Sequence, residues 1–200
     1  MFGQKNGGII LRTYFPGKQK IALLDRKKGK FDAVPPDENM SPGMIIVYNL
    51  PLSYSGCPFL SDVEIIEAPM ALAKNDILFL HHLLELCYYL IPYGICDTFI
   101  FDLVYRAYES LERKKAHNMR YKFLVLFKLL AEVGMYPEDK TYHTPYYYKL
   151  AKGPIENGDL DIINDDVEHA LNKWVYTCLS SHPCFGNLKT VHFLTAGRGL

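Results

Sequence analysis

The residues that could do chemistry are concentrated in a basic stretch near the start of the chain. Residues 5–30 hold eight Lys and Arg against one acid, Asp25, so the stretch carries a net charge of +7. The whole chain of 200 residues has a formal charge of zero, because the rest carries 14 basic against 21 acidic side chains. Such an asymmetry is typical of proteins that bind a polyanion. The residues predicted to contact the phosphates of a nucleic acid are Arg12, Lys18, Lys20, Arg26, Lys27, Lys28 and Lys30.

A solvated protein surface is the alternative interpretation of this basic stretch. Lysines are common at sheet edges, where they oppose aggregation. Aromatic residues interleave with the basic ones, and Tyr14, Phe15 and Phe31 could stack on bases, although each is also typical of a core. The size of the charge bias over so short a segment favours nucleic acid.

A second basic cluster follows at the junction of two predicted helices. A solvated helix end accounts for it, since basic side chains favour a helix C-terminus. The functional alternative is a pocket for an acidic peptide. The residues predicted for that pocket are Arg113, Arg120, Lys122 and Lys128.

Motifs of catalysis and cofactor binding are missing from the sequence. It contains no Gly-x-x-x-x-Gly-Lys-Ser/Thr loop and no His-Glu-x-x-His. Cys178, His182 and Cys184 are close together, but their spacing is not that of a zinc site. The sequence therefore predicts a protein that is not an enzyme, with no metal and no cofactor.

The cysteines and the apolar segments bear on localisation. Five widely spaced cysteines, with no apolar leader before them, favour reduced thiols in the cytoplasm. The longest apolar helical run, residues 77–91, contains two His and a Glu, so we expect no membrane span.

The elements that must position the basic residues change type near residue 68. Five short runs of β-forming residues, joined by turn signals, predict strands at residues 9–14, 18–25, 30–34, 44–50 and 62–68. Helical periodicity follows, in segments that start near residues 77, 98, 119 and 165. Asp97 and Asp165 are predicted N-caps, Gly134 is a predicted helix end, and residues 188–194 a last short helix. A short hairpin is also expected at about residues 146–163.

These elements predict an α+β protein in two domains. An OB-fold-like five-stranded β-barrel would occupy residues 1–68, and an all-helical domain residues 69–200. The third helix is apolar around most of its circumference, so it should be buried in a helical bundle.

The order of features resembles the bacterial recombination mediator family RecO. The resemblance is carried by residues 8–12 (Gly-Ile-Ile-Leu-Arg), 129–137 (Leu-Leu-Ala-Glu-Val-Gly-Met-Tyr-Pro), 147–149 (Tyr-Tyr-Lys) and 187–189 (Asn-Leu-Lys). It implies an N-terminal OB-fold and a helical C-terminal domain. It also implies single- and double-stranded DNA binding, strand annealing in DNA repair and homologous recombination, and no catalysis. The partners it implies are RecR and the acidic tail of single-stranded DNA-binding protein, the latter at the second basic cluster.

A protein-interaction module is the alternative function. Residues 35–39 (Pro-Pro-Asp-Glu-Asn) form an acidic loop where RecO proteins usually carry a basic one, and the Cys-x-x-Cys of many members is missing. A barrel with reduced or lost DNA binding, attached to a helical domain that docks a partner, would fit these differences.

Overall fold

The fold is known from a computed structural model, which describes residues 6–14, 19–37, 39–50, 56–72, 74–112, 119–136 and 164–190. A five-stranded antiparallel sheet forms its first part, in the order β3-β2-β1-β4-β5. Its strands are β1 (Asn6–Thr13), β2 (Ile21–Asp25), β3 (Gly29–Ala33), β4 (Ile45–Asn49) and β5 (Ser61–Glu67).

The sheet forms because its central strands can bury apolar side chains on both faces. All five residues of β2 are buried, and Ile21 and Leu23 join Ile10, Ile46 and Tyr48 in one core cluster. Helix α1 (Lys74–Leu90) packs against β1. Both faces of β2 are therefore covered.

The two edges of the sheet are bridged at one point. Val34, just after β3, forms a parallel bridge with Phe59, just before β5. The amide of Val34 donates to the carbonyl of Pro58 at 2.8 Å, and the amide of Leu60 donates to the carbonyl of Val34 at 2.9 Å.

Three further α-helices are described: α2 (Thr98–Glu112), α3 (Met119–Glu132) and α4 (Asp165–Ser181). Single 3₁₀ turns occupy Pro69–Ala71 and Phe185–Asn187. The α+β class predicted from the sequence is thereby confirmed. Among the helices of the described residues, none combines the length and the apolarity needed to cross a bilayer.

The predicted helix ends are correct in two cases and wrong in one. The Asp97 carboxylate accepts from the amides of Phe99 and Ile100, as an N-cap should. Gly134, at φ +77°, ends α3 in a Schellman motif, with the amide of Met135 donating to the carbonyl of Leu130.

The wrong prediction is the cap of α4. Asn164 caps this helix through the amide of Val167, because the helix starts at Asp165 itself. Of the last predicted helix, residues 188–190 are described; they are not helical, and a 3₁₀ turn lies before them. Residues 191–194 and the expected hairpin at 146–163 lie outside the described residues.

The chain divides into two compact units, Met1–Tyr108 and Glu109–Leu200. The first contains the sheet, α1 and most of α2, so the division falls at a different place from the predicted domain boundary at residue 68. In the second unit α3 packs against α4, and the rings of Phe127 and Trp174 meet edge to face at 4.5 Å. Every residue of α3 from Tyr121 to Ala131 is buried, as its apolar circumference predicts.

Candidate nucleic-acid interface

The turn between β2 and β3 is built around the one acid of the basic stretch. Asp25 is 1% exposed, and its carboxylate accepts from the amides of Lys27 and Lys28, both at 2.7 Å, and from the Tyr48 hydroxyl at 2.5 Å. Gly29 closes the turn at φ +74°, a conformation that favours glycine. The acid is thus used internally, and the turn presents residues 26–28 (Arg-Lys-Lys) to solvent.

These three basic residues differ in what they contact. Lys27 and Lys28 are exposed, and within the described residues neither side chain forms an ion pair. Arg26 forms a two-pronged ion pair with Asp102 of α2, from Nε to Oδ1 and from Nη2 to Oδ2, both at 3.0 Å. The hydrogen bond to Asp102, with its charge, raises the pKa of Arg26.

A tyrosine cluster contacts three of the other predicted cations, Arg12, Lys20 and Lys30. Tyr14 follows β1, Tyr88 and Tyr89 lie in the last turn of α1, and Tyr93 lies in the loop after α1. The Tyr14 hydroxyl is 2.9 Å from that of Tyr88 and 3.3 Å from the Asp32 carboxylate. Burial, followed by its hydrogen bonds to Tyr88 and Tyr93, raises the pKa of Tyr14, so its hydroxyl remains a donor.

Lys30 is inside this cluster and is not accessible to a phosphate. It is 3% exposed, and its ammonium donates to the carbonyl of Tyr88 at 2.5 Å. It also lies 4.4 Å from the ring centroid of Tyr93. The C-terminal turn of a helix carries partial negative charge, so a buried cation is favourable there. Lys30 therefore acts as a cap for α1, and this burial takes it out of the DNA-contacting set predicted from the sequence.

Arg12 and Lys20 lie at the accessible side of the cluster. The Arg12 guanidinium is half-buried, with its Cζ 4.8 Å from the ring centroid of Tyr88. The Lys20 ammonium donates to Asp32 at 2.7 Å and lies 5.0 Å from the ring centroid of Tyr14. The hydrogen bond to Asp32 raises the pKa of Lys20. Lys18, the remaining predicted contact, lies outside the described residues.

The loop after α1 runs along the β2–β3 hairpin. The amide of Gly94 donates to the carbonyl of Lys30 at 2.8 Å, and the Cys96 thiol donates to the carbonyl of Arg26 at 3.3 Å. Tyr93 and Ile95, on either side of Gly94, are 53% and 54% exposed. The loop therefore brings Cys96 to the basic turn and places the exposed Tyr93 ring farther along the hairpin, against Lys30.

The second predicted surface, for an acidic peptide, is largely used within the protein. Arg120 of α3 forms ion pairs with Asp165 and Glu168 of α4, the latter at 3.0 Å. Lys122 and Lys128 are 2% and 1% exposed, so neither can meet a partner at the surface. Arg113 lies outside the described residues.

Several residues of this interface were not among those predicted. Asp32 and Asp102 neutralise predicted cations, and Tyr88 and Tyr93 form the aromatic part of the surface. The abundance of tyrosine, 15 residues, was the only sequence signal for such a surface.

No family model and no curated protein matches this sequence. Within the described residues, no group of three or more His, Cys, Asp or Glu side chains is arranged to hold a metal ion. We therefore infer function from the geometry of the turn and the tyrosine cluster.

Proposed function

We propose that this chain is a RecO-like, non-catalytic protein that binds single-stranded DNA in repair and homologous recombination. The observation that carries the proposal is that one hairpin presents an exposed basic turn at residues 26–28 and, farther along, Lys30 against the exposed Tyr93. Single-strand binding proteins combine cations that follow the backbone with aromatic rings on which bases stack. In this proposal Lys20, Arg26, Lys27 and Lys28 contact phosphates, and Tyr93 stacks on a base.

The sheet supports the proposal through its topology. An OB-fold is a five-stranded, partly open barrel that commonly binds oligonucleotides. The strand order and the bridge between Val34 and Phe59 are compatible with a sheet that curls until its edges approach each other. We therefore take the sheet to be an OB-like barrel and the β2–β3 turn to be part of its binding surface.

The wider role depends on the family resemblance. A RecR-like protein, the acidic tail of single-stranded DNA-binding protein, double-stranded DNA and strand annealing are carried over as proposals. The tail is not assigned to Arg120, Lys122 or Lys128, because the first is ion-paired and the other two are buried.

Salt-dependent DNA binding by the intact chain tests the proposal. Fluorescence anisotropy with a labelled oligothymidylate should give a log–log salt slope of about −3 for four phosphate contacts. The double variant Lys27→Glu/Lys28→Glu should make the slope shallower by about 1.4 and weaken binding at every salt concentration. Lys173→Glu, a single charge reversal at an exposed lysine of α4, is the control for net charge and should change affinity little. A flat salt response, or equal losses per reversed charge in control and test variants, would refute DNA binding at this turn.

A protein-interaction module with reduced DNA binding is the second candidate. It is favoured by the ion pairs that occupy Lys20 and Arg26 and by the burial of Lys30, which leave Lys27 and Lys28 unpaired within the described residues. Under this function the chain would bind the oligonucleotide weakly or not at all, even at low salt. Its partner, recovered from lysate and identified, would stay bound after nuclease treatment.

A further inference from the structure

Two carboxylates of the first unit lie where a nucleic-acid phosphate would be expected to bind. Asp32 accepts from Lys20 Nζ at 2.7 Å, from Tyr93 Oη at 3.1 Å and from Tyr14 Oη at 3.3 Å. Asp102 accepts from both prongs of the Arg26 guanidinium at 3.0 Å. An ammonium with two hydroxyls, and a guanidinium fork, are donor sets that suit phosphate oxygens as well as carboxylate oxygens.

We propose that these donor sets are two phosphodiester-binding sites, each held closed by its own carboxylate. Asp32 closes the site formed by Lys20, Tyr14 and Tyr93, and Asp102 closes the site formed by Arg26. A phosphodiester of single-stranded DNA binds by displacing the carboxylate, and the Asp side chain rotates into solvent. This inference rests on the proposed function and adds that the two carboxylates control the access of DNA phosphates to these cations.

The exchange is chemically balanced because a phosphodiester and a carboxylate both carry one negative charge. Each site gives up one anion and takes another, so its cation is never left unpaired. The hydroxyl pair also suits the exchange. Tyr88 can donate to Tyr14, which frees the Tyr14 proton for whichever anion occupies the site.

The ion pairs are exposed enough to open. The side chains of Lys20 and Asp32 are 31% and 20% exposed, and those of Arg26 and Asp102 are 48% and 39% exposed. Ion pairs at such positions stabilise a protein only weakly and are screened by salt. A polyanion held by the neighbouring Lys27 and Lys28 would present its phosphates at high local concentration, which favours the exchange.

The consequence is that removing either carboxylate charge should strengthen DNA binding. Asp32→Asn and Asp102→Asn keep the shape of the side chain and its ability to accept a hydrogen bond. Each should raise affinity for the oligothymidylate by roughly three- to tenfold at low salt, because the cation is released and a like charge next to the phosphate is removed. Asp166→Asn, the same change at an exposed acid of α4, is the charge control and should change affinity by less than about twofold.

A double-mutant cycle separates the site from a general charge effect. In a Lys20→Met background, the gain from Asp32→Asn should fall to that of the Asp166→Asn control, because no cation remains to be released. Circular dichroism melting of each variant checks that the fold is retained.

The outcomes distinguish this inference from the function on which it rests. Gains at Asp32 and Asp102 above the control, with the Asp32 gain lost in the Lys20→Met background, support it. Wild-type binding with gains no larger than the control, or an Asp32→Asn gain that persists without Lys20, overturns the inference but leaves the DNA-binding function standing. If neither the wild type nor the Asn variants bind at low salt, both are overturned.

Discussion

His82 offers a quantitative test of the packing of α1. The side chain is fully buried, whereas its neighbour His81 on the same helix is exposed. Burial lowers the pKa of His82 from its ordinary 6.5 to about 4, and the nearby charge of Glu85 opposes this only partly. The folded protein therefore holds this imidazole neutral at pH values where the unfolded chain binds a proton.

The sign and the size of the effect follow from this difference. Between pH 6.5 and about 4 the unfolded state binds more protons, so the free energy of unfolding falls as the pH falls. The full contribution is present above pH 6.5 and is lost by about pH 4. The two pKa values correspond to about 3 kcal/mol, a large part of the roughly 5–15 kcal/mol that stabilises a typical domain.

Urea unfolding across this pH range measures the effect, with His82→Gln as the test variant and His81→Gln as its matched control. The wild type and His81→Gln should lose stability in parallel as the pH falls. The loss in His82→Gln should be smaller by about 3 kcal/mol, because Gln does not titrate. An NMR titration of the wild-type imidazole gives the pKa directly. A native midpoint near 6.5, or a His82→Gln profile parallel to the wild type, would refute the reasoning.

Two substitutions near the interface test its construction. In Gly29→Ala the new Cβ would lie 2.0 Å from the carbonyl oxygen of Ile95. We therefore expect denaturant unfolding to show a free energy of unfolding lower by about 3 kcal/mol. The control is Gly94→Ala, also at φ +74° but with open space around it, which should lower the free energy of unfolding by only about 1 kcal/mol. Lys30→Met removes the hydrogen bond to the Tyr88 carbonyl and should cost about 1–3 kcal/mol. Because Lys30 is buried, its loss should leave oligothymidylate affinity unchanged in the folded protein, and a clear loss of affinity would contradict its assignment as a helix cap.

The elements of this fold were predictable where a local signal determines them. Asp97 caps α2 because its carboxylate reaches amides two and three residues ahead, and Gly134 ends α3 because it adopts a left-handed conformation readily. Such contacts join residues close in sequence, so composition and spacing reveal them. The cap of α4 was misplaced by one residue, because Asn164 and Asp165 are both good caps and only the backbone decides between them.

The division of the chain was harder to predict, because a change in periodicity marks a change of secondary structure and not a limit of packing. The sequence turns helical after residue 68, yet α1 packs against β1 and belongs to the same compact unit as the sheet. Which helices cover a sheet depends on contacts between distant residues, which local composition and periodicity do not reveal.

The candidate interface shows the same limit in its charges. Lys20 and Asp32 are separated by 12 residues in the sequence, and Arg26 and Asp102 by 76, yet both pairs meet in the fold. The burial of Lys30 likewise depends on Tyr88, which is 58 residues away. A count of basic residues in one segment therefore overestimates the positive charge that a polyanion can reach.

The salt dependence of DNA binding measures how many of the predicted cations contact phosphates. If all seven predicted cations contacted phosphates, the log–log slope would be about −5. If only Lys27 and Lys28 did so, with Lys20 and Arg26 kept by their carboxylates, it would be about −1.4. Displacement of Asp32 and Asp102 gives four contacts and a slope of about −3. The slope therefore reports how many ion pairs of the free protein open on binding, which neither the net charge nor the static structure specifies.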